Sequence, residues 1–360
     1  MVRVYIEKQG VPEVLMSLVF WPNFKFEISP KRLFLREIMA QYTEPFFHIT
    51  DRPEEADFFA VPYEYFLAQD VYPQYLARVF ALAKSAGKKV LLFDYTDYVD
   101  RQPQLPSHAV LFRVSAYRHR KQQNEIIMPY FVEDMGKHFS IAPKEKSETC
   151  VVGYCGQSQF QNIGRKWRAS LKWLFLSLLL RVRRDREPRT HMLGVLWRAE
   201  ALRVLRVGGV RTSFIERSFY SLHRGVNLSD PSEVRRAYVE NLRECDLALC
   251  VRGGANASQR FYESLSASRI PLFLDTDCVL PLEEIIRYDE ALLRVPSREI
   301  ETLPTRVRGW WAKQTPQSFL VRQESARAIY EKCLRLDRYF EIVFDRERSP
   351  YKILFNDEWR

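Results

Sequence analysis

Three charged side chains stand at a spacing that could hold a phosphorylated ligand. Arg252, Arg260 and Glu263 lie in CDLALCVRGGANASQRFYESLSASRIPLFLD, residues 245–275, around the pair Gly253-Gly254. Gly253 and Gly254 let a backbone approach a ligand closely. Arg252 adds a fixed positive charge able to grip two phosphate oxygens. Arg260 and Glu263 are three apart and so share a helix face, with Ser264 beside them. A carboxylate placed there can accept two neighbouring hydroxyls, as from a ribose. The expected chemistry is therefore recognition of a nucleoside diphosphate, with amides and arginines on the phosphates and Glu263 on the sugar. The same pair could equally be a solvated surface ion pair, worth under about 1 kcal/mol.

The elements that must position these residues read as strand, turn, helix, strand. LALCV (247–251) and RIPLFLD (269–275) are apolar strand runs, and NASQ (256–259) fits a capping box with Asn256 as N-cap and Gln259 returning. In such a unit the turn lies at the carboxyl edge of a sheet, where α/β proteins bind ligands, and the first helical turn presents free N–H groups to an anion. The spacing is not the dinucleotide fingerprint, and the chain contains no phosphate-binding P-loop sequence.

The pattern alternates along the whole chain. Strands are expected at 2–8, 46–50, 56–63, 88–95, 109–115 and 125–131, with helices at 30–42 and 72–87. Several of these strand runs are continuously apolar, as in sheets covered on both faces. After a polar stretch, IAPKEKSET (141–149), a second series opens with CVVGYCGQ (150–157) and GGVRTSFIE (208–216), followed by a helix at 231–245 and a helical tail at 317–340. Two α/β units follow: residues 1–147 and 148–334, with a C-terminal helix about 335–360 able to return to the first.

Composition narrows the classes. Hydrophobic residues make up 46% of the 360 positions, enough for two cores, which excludes global disorder. A net charge of +10 favours anionic partners. A polyanion-binding protein would use basic clusters at 113–121 and 181–189, but aromatics are not interleaved with them, and nucleic acid is not expected. Six cysteines with no Cys-x-x-Cys pair argue for reduced thiols, no zinc cluster and a cytoplasmic setting. The N-terminus reads as a strand rather than a signal peptide. LKWLFLSLLLRV (171–182) is too short to span a bilayer. It is expected to be a core-packing helix. A lipid-surface helix, flanked as it is by Arg165, Lys166, Arg168 and Arg181, is the alternative and would give peripheral association with anionic membrane.

The run RGGANASQRFYESLSASRIPLFLDTDCVLPLEEII (252–286) resembles the signature of the exostosin-type glycosyltransferases, matching at Arg252, Gly253, Ser258, Arg260, Phe261, Glu263, Pro271, Asp275, Leu280 and Pro281. EEADFFAVPYEYF (54–66) resembles that family's upstream segment, while its His-Asp segment is replaced by FDYTDYVD (93–100). The resemblance implies a GT-B architecture: two Rossmann-like domains with parallel sheets facing a cleft. It implies an inverting transfer from a nucleoside-diphosphate sugar, UDP foremost, to a glycan or lipid-linked hydroxyl, without metal or other cofactor. Asp275 and Asp277 then line the donor sugar or end a strand, instead of holding Mn²⁺. Such a transfer needs a base and a stabilised leaving group. Asp94, Asp97 and Glu64 are the candidate bases, each on or after a strand of the first half. Arg252 and Arg260, with Arg217 third, are the candidates for the leaving diphosphate. His119 reads as part of a solvated basic loop. A fucosyltransferase-like GT-B enzyme shares the Arg-x-x-Glu logic.

Overall fold

The computed structural model of the chain describes residues 1–10, 16–24, 35–182, 185, 187–219 and 231–356. The first five positions of the helix expected at 30–42, together with Arg183, Arg184, Arg186 and the last four residues, lie outside them; Leu35–Met39 is helical as expected.

Two parallel sheets carry the molecule. The first contains β1 (Val2–Tyr5), β2 (Phe47–Thr50), β3 (Phe58–Glu64), β4 (Val90–Asp94), β5 (Ala109–Arg113) and β6 (Glu125–Ile127), in the order β2-β1-β3-β4-β5-β6. The second contains β7 (Val151–Gln157), β8 (Arg211–Arg217), β9 (Leu247–Cys250), β10 (Ile270–Asp275) and β11 (Leu293–Pro296), in the order β11-β10-β9-β7-β8. Counted within each half, both begin with the same doubly wound order, 2-1-3-4-5, and every strand pair is parallel. Each half thus carries a Rossmann-like, doubly wound parallel sheet, as the expected fold class requires.

The apolar runs explain the layers. FFAVPYE and VLLFD are buried at every position because helices cover both faces of the first sheet. On one face Tyr75, Leu76, Val79 and Ala83 of the helix Pro73–Ser85 pack against it. On the other lies an aromatic layer from the far end of the chain. Phe340, in the helix Leu336–Val343, stands 5.4 Å from Phe47, and Phe344 stands 5.7 Å from Phe58. The Tyr339 hydroxyl donates to the Ile127 carbonyl at 2.9 Å. The tail expected as one helix over 317–340 is in fact two, Pro316–Ile329 and Leu336–Val343, parted where Arg335 takes an extended conformation.

The helix Ile163–Val182 corrects the core-packing expectation. Leu180 is its one buried residue, whereas Ile163, Trp167, Leu171, Leu174, Phe175, Leu178 and Val182 are exposed. All six cysteines are free thiols. Among the described residues no helix is long and apolar enough to cross a membrane.

Direct contacts staple the halves. Tyr117 bridges Cys278, Arg118 donates its amide to the Asp277 carbonyl at 2.9 Å, and Arg327 pairs with Asp134 at 2.5 Å. The 141–149 stretch is pinned as well, because the Gln323 amide donates to and accepts from the Lys144 backbone at 2.8 Å.

Candidate functional site

The strand order of the second half reverses between β7 and β9, and neighbouring crossovers leave a crevice at their carboxyl ends. A cavity of about 400 Å³ opens there, within the range of ligand pockets. Its walls are the end of β7 (Tyr154–Gln157), the turn after β9 with Gly253 and Gly254, and the start of the helix Gln259–Ser266. Asp97, Tyr130 and Met135 close it from the first half.

Arg260 is the cation at its centre. The side chain is buried between the rings of Tyr154 and Tyr238, 5.2 and 4.6 Å from their centroids. One terminal nitrogen donates to the Cys155 carbonyl, while the other, Nη1, has no hydrogen-bond partner. A buried guanidinium left one donor short is a strong anion attractor, since an unmade bond to a charged group is costly. Glu263 lies beside it and is oriented by the Tyr238 hydroxyl and by Gln259, whose amide donates at 3.0 Å. Burial, then the nearby carboxylate, pushes the Tyr238 phenol well up, so it stays a donor to Glu263. Two donors leave the carboxylate with free acceptor capacity for further hydroxyls.

Several expected positions fall elsewhere. Arg252 is buried, but its guanidinium donates to the Tyr117 hydroxyl (2.8 Å), the Thr190 carbonyl (2.7 Å) and the Gly254 carbonyl (3.0 Å), so it braces the turn instead of facing the cavity. The Gly253 amide is also engaged, donating to the Ala257 carbonyl at 2.9 Å. The expected cap is corrected: the helix begins after Ser258, which lines the cavity, while Asn256 is buried and ties the turn to the Thr276 and Asp277 carbonyls. Asn and Asp residues compete for backbone groups near turns, and here the tertiary partners win.

Asp275 and Asp277 lie off the cavity. Asp275 accepts the Cys278 amide at 2.8 Å and faces Arg294 at 3.5 Å, and Asp277 holds His119 at 2.5 Å. Arg217 is buried with a bond to the Val234 carbonyl at 3.0 Å and does not line the cavity. Glu64 and Asp94 are buried together at the ends of β3 and β4, where Glu64 accepts the Tyr95 amide and Asp94 accepts the Thr96 hydroxyl at 2.8 Å. Burial pushes both carboxyls up, Asp94 to about 6, and each repels the other's charge. Asp97 alone of the three candidate bases reaches the cavity, and it is exposed there.

Sequence reasoning missed Arg198, Arg235, Tyr154 and Tyr238. Arg198 donates to the Gln157 carbonyl at 2.6 Å and Arg235 pairs with Glu133, both at the cavity wall. The two arginines and Tyr238 stand on helices and Tyr154 on β7, at positions without a local motif, so no signal could have marked them. His119 is also corrected: it is packed against Asp277 and Asp185 instead of lying in a solvated loop.

No family model matches the chain, and no curated protein does. Among solved structures it is similar to a glycosyltransferase from Rickettsia africae ESF-5, at 12% identity and TM-score 0.37, over 84% of this chain and 78% of that one. It is also similar to Anabaena Alr3699/HepE, solved in complex with UDP, at 9% identity and TM-score 0.37, over 94% of this chain and 98% of that one.

Proposed function

We propose that the chain is an inverting glycosyltransferase of exostosin-like type that moves a sugar from a nucleoside-diphosphate donor, UDP-sugar foremost, to a hydroxyl of a glycan or lipid-linked acceptor. The observation that carries this reading is the unpartnered Arg260 Nη1, buried in a switch-point cavity beside Glu263 and across from Asp97 of the other half. Arg260, with Arg198, Arg235 and the N-terminus of the helix Gln259–Ser266, provides positive potential for a diphosphate. Glu263 accepts the ribose hydroxyls. Asp97 takes the acceptor proton as the acceptor oxygen bonds to the anomeric carbon and the bond from that carbon to the diphosphate oxygen breaks. The Cys155 thiol at the wall is pushed up by burial and stays neutral, which disfavours it as a covalent nucleophile.

The donor diphosphate is read as metal-free, because the Asp275 and Asp277 carboxylates are turned to protein partners away from the cavity. A polyanion binder is disfavoured by its own cations: Arg113 is buried against Glu125 at 2.7 Å, and Arg118 pairs with Glu283 at 2.7 Å. The test is a panel of sugar nucleotides scored by released nucleoside diphosphate, with thermal shift by the free diphosphates. Release from one UDP-sugar supports the reading. Release from a GDP-sugar alone moves it to a fucosyltransferase-like enzyme, and no stabilisation by any diphosphate removes it.

A further inference from the structure

We propose that His119, His191 and Asp185 bind one divalent ion of the zinc class and that this ion clamps the two halves. The three ligand atoms lie within 4.8 Å of one another. His119 comes from the turn Arg118–Arg120 of the first half, His191 from the turn Pro188–His191 of the second, and Asp185 follows the helix Ile163–Val182.

The hydrogen bonding points to a metal. His119 Nδ1 sits 2.5 Å from Asp277 Oδ2, and His191 Nδ1 sits 2.6 Å from Asp100 Oδ1. A carboxylate only accepts, so each Nδ1 carries a proton, and in the neutral ring it is Nε2 that holds the lone pair a metal would take. Both Nε2 atoms are buried without a hydrogen-bond partner. They face the same carboxylate, with His119 Nε2 at 3.3 Å from Asp185 Oδ1 and His191 Nε2 at 3.4 Å from Oδ2. The edge of a tetrahedron built on bonds of about 2.0–2.1 Å is about 3.3–3.4 Å. A carboxylate behind each metal-binding histidine is the arrangement that fixes ring orientation in metal sites. Two imidazoles and one carboxylate suit zinc, with water completing the shell.

The ion would position the cavity without touching the reaction. Asp100 and Asp97 share one loop, and the His191 turn abuts Arg252 through the Thr190 carbonyl. Closing the clamp therefore sets the Asp97 loop against the Gly253-Gly254 turn. Its test reads metal alone, so its failure is distinct from failure of the transferase reading. Chelator-stripped protein is titrated with Zn²⁺ by calorimetry and with Co²⁺ by visible absorption. The expected result is one equivalent bound, the tetrahedral cobalt spectrum, and a rise in melting temperature. His119→Gln and Asp185→Asn should each weaken binding at least tenfold while far-ultraviolet circular dichroism is unchanged, and Asp100→Asn should weaken it about 10–100-fold as an outer partner. Sub-stoichiometric binding by the wild type overturns the site, since the rings are then protonated partners of Asp185. Binding unaltered in His119→Gln and Asp185→Asn overturns it equally.

A different observation carries a second inference: we infer that the helix Ile163–Val182 rests on an anionic lipid surface. Residues 163, 167, 171, 174, 175, 178 and 182 fall within an arc of about 120° of the helix, and their exposures run from 59% to 75%. Arg165, Lys166, Arg168, Lys172 and Arg181 are all exposed, and the twenty residues contain no acid. An apolar stripe between cations complements anionic headgroups over hydrocarbon. The helix begins six residues beyond Gln157 of the cavity wall, so docking would bring the cavity to a lipid-linked acceptor. Flotation with phosphatidylglycerol vesicles should carry the protein at low salt, phosphatidylcholine vesicles should not, and Leu174→Glu with Phe175→Glu should reduce flotation at least tenfold. Absence of flotation with phosphatidylglycerol overturns the inference. So does a dimer in solution that the same pair of substitutions dissolves, because the stripe then faces a second copy.

Discussion

Asp97 presses its carboxylate against the backbone of Gly254: a β-carbon built on Gly254 would lie 2.6 Å from Asp97 Oδ2. The contact joins a loop of the first half to the turn of the second, and its glycine supplies space. Gly254→Ala should therefore push Asp97 aside and lower kcat at least tenfold with donor Kd less affected. Asp97→Asn, which keeps the shape and removes the base, should lower kcat about 10²–10⁴-fold. Steady-state kinetics with calorimetric Kd values checks both, and an Asp97→Asn enzyme of normal kcat would remove the base assignment.

Glu263 is held by Tyr238 and Gln259 at the cavity wall. Wild-type protein should bind UDP more tightly than 2′-deoxy-UDP, and Glu263→Ala should weaken UDP roughly tenfold while erasing that preference, about 1–2 kcal/mol. Isothermal titration with the two nucleotides measures it. Retention of the preference in the variant would place the ribose elsewhere.

Arg260 has both a packing and a binding role, since two aromatic rings and a carbonyl engage it. Truncation to alanine should cost about 2–4 kcal/mol of stability as well as turnover. Arg260→Lys keeps the charge and loses the fork, and should lower kcat/KM at least tenfold with a smaller fall in melting temperature. Comparing the two variants by melting and by kinetics separates the roles.

Burial raises the Asp94 carboxyl from 3.8 to about 6, beside Glu64, which is also raised. A raised acid binds its proton more tightly when folded, so its contribution is present below about pH 4 and is lost as pH climbs through about 6. Asp94→Asn should therefore be more stable than wild type by about 1–3 kcal/mol at pH 7–8, with the gap closing towards pH 4. Urea melts across that range test the sign.

Asp275 serves the loop after β10, accepting the Cys278 amide. Asp275→Asn should lower stability by about 1–2 kcal/mol and leave UDP affinity unchanged, and added Mn²⁺ should not raise the initial rate. Restoration of lost activity by Mn²⁺ in that variant would return the pair to the donor.

Periodicity and apolar runs determined much of this protein by themselves. FFAVPYE, KKVLLFDY and LALCV are too continuously apolar for a half-exposed sheet, so two covered parallel sheets were legible, as was the turn after LALCV at the sheet edge where the cavity opens. β11 was not legible, because LRVP is short and carries a charge, nor was the exposure of Ile163–Val182, whose stripe reads alike whether a core or solvent faces it. Local spacing put Arg252, Arg260 and Glu263 on one turn. Which guanidinium faces the cavity depended on partners 62 to 135 residues away, Thr190 and Tyr117 for Arg252, against Cys155 for Arg260. The His119–Asp185–His191 cluster joins both halves and has no spacing to betray it. Side-chain direction and pairing across domains are settled by packing, which only the tertiary structure decides, because the competing hydrogen-bond partners are brought together by the fold alone.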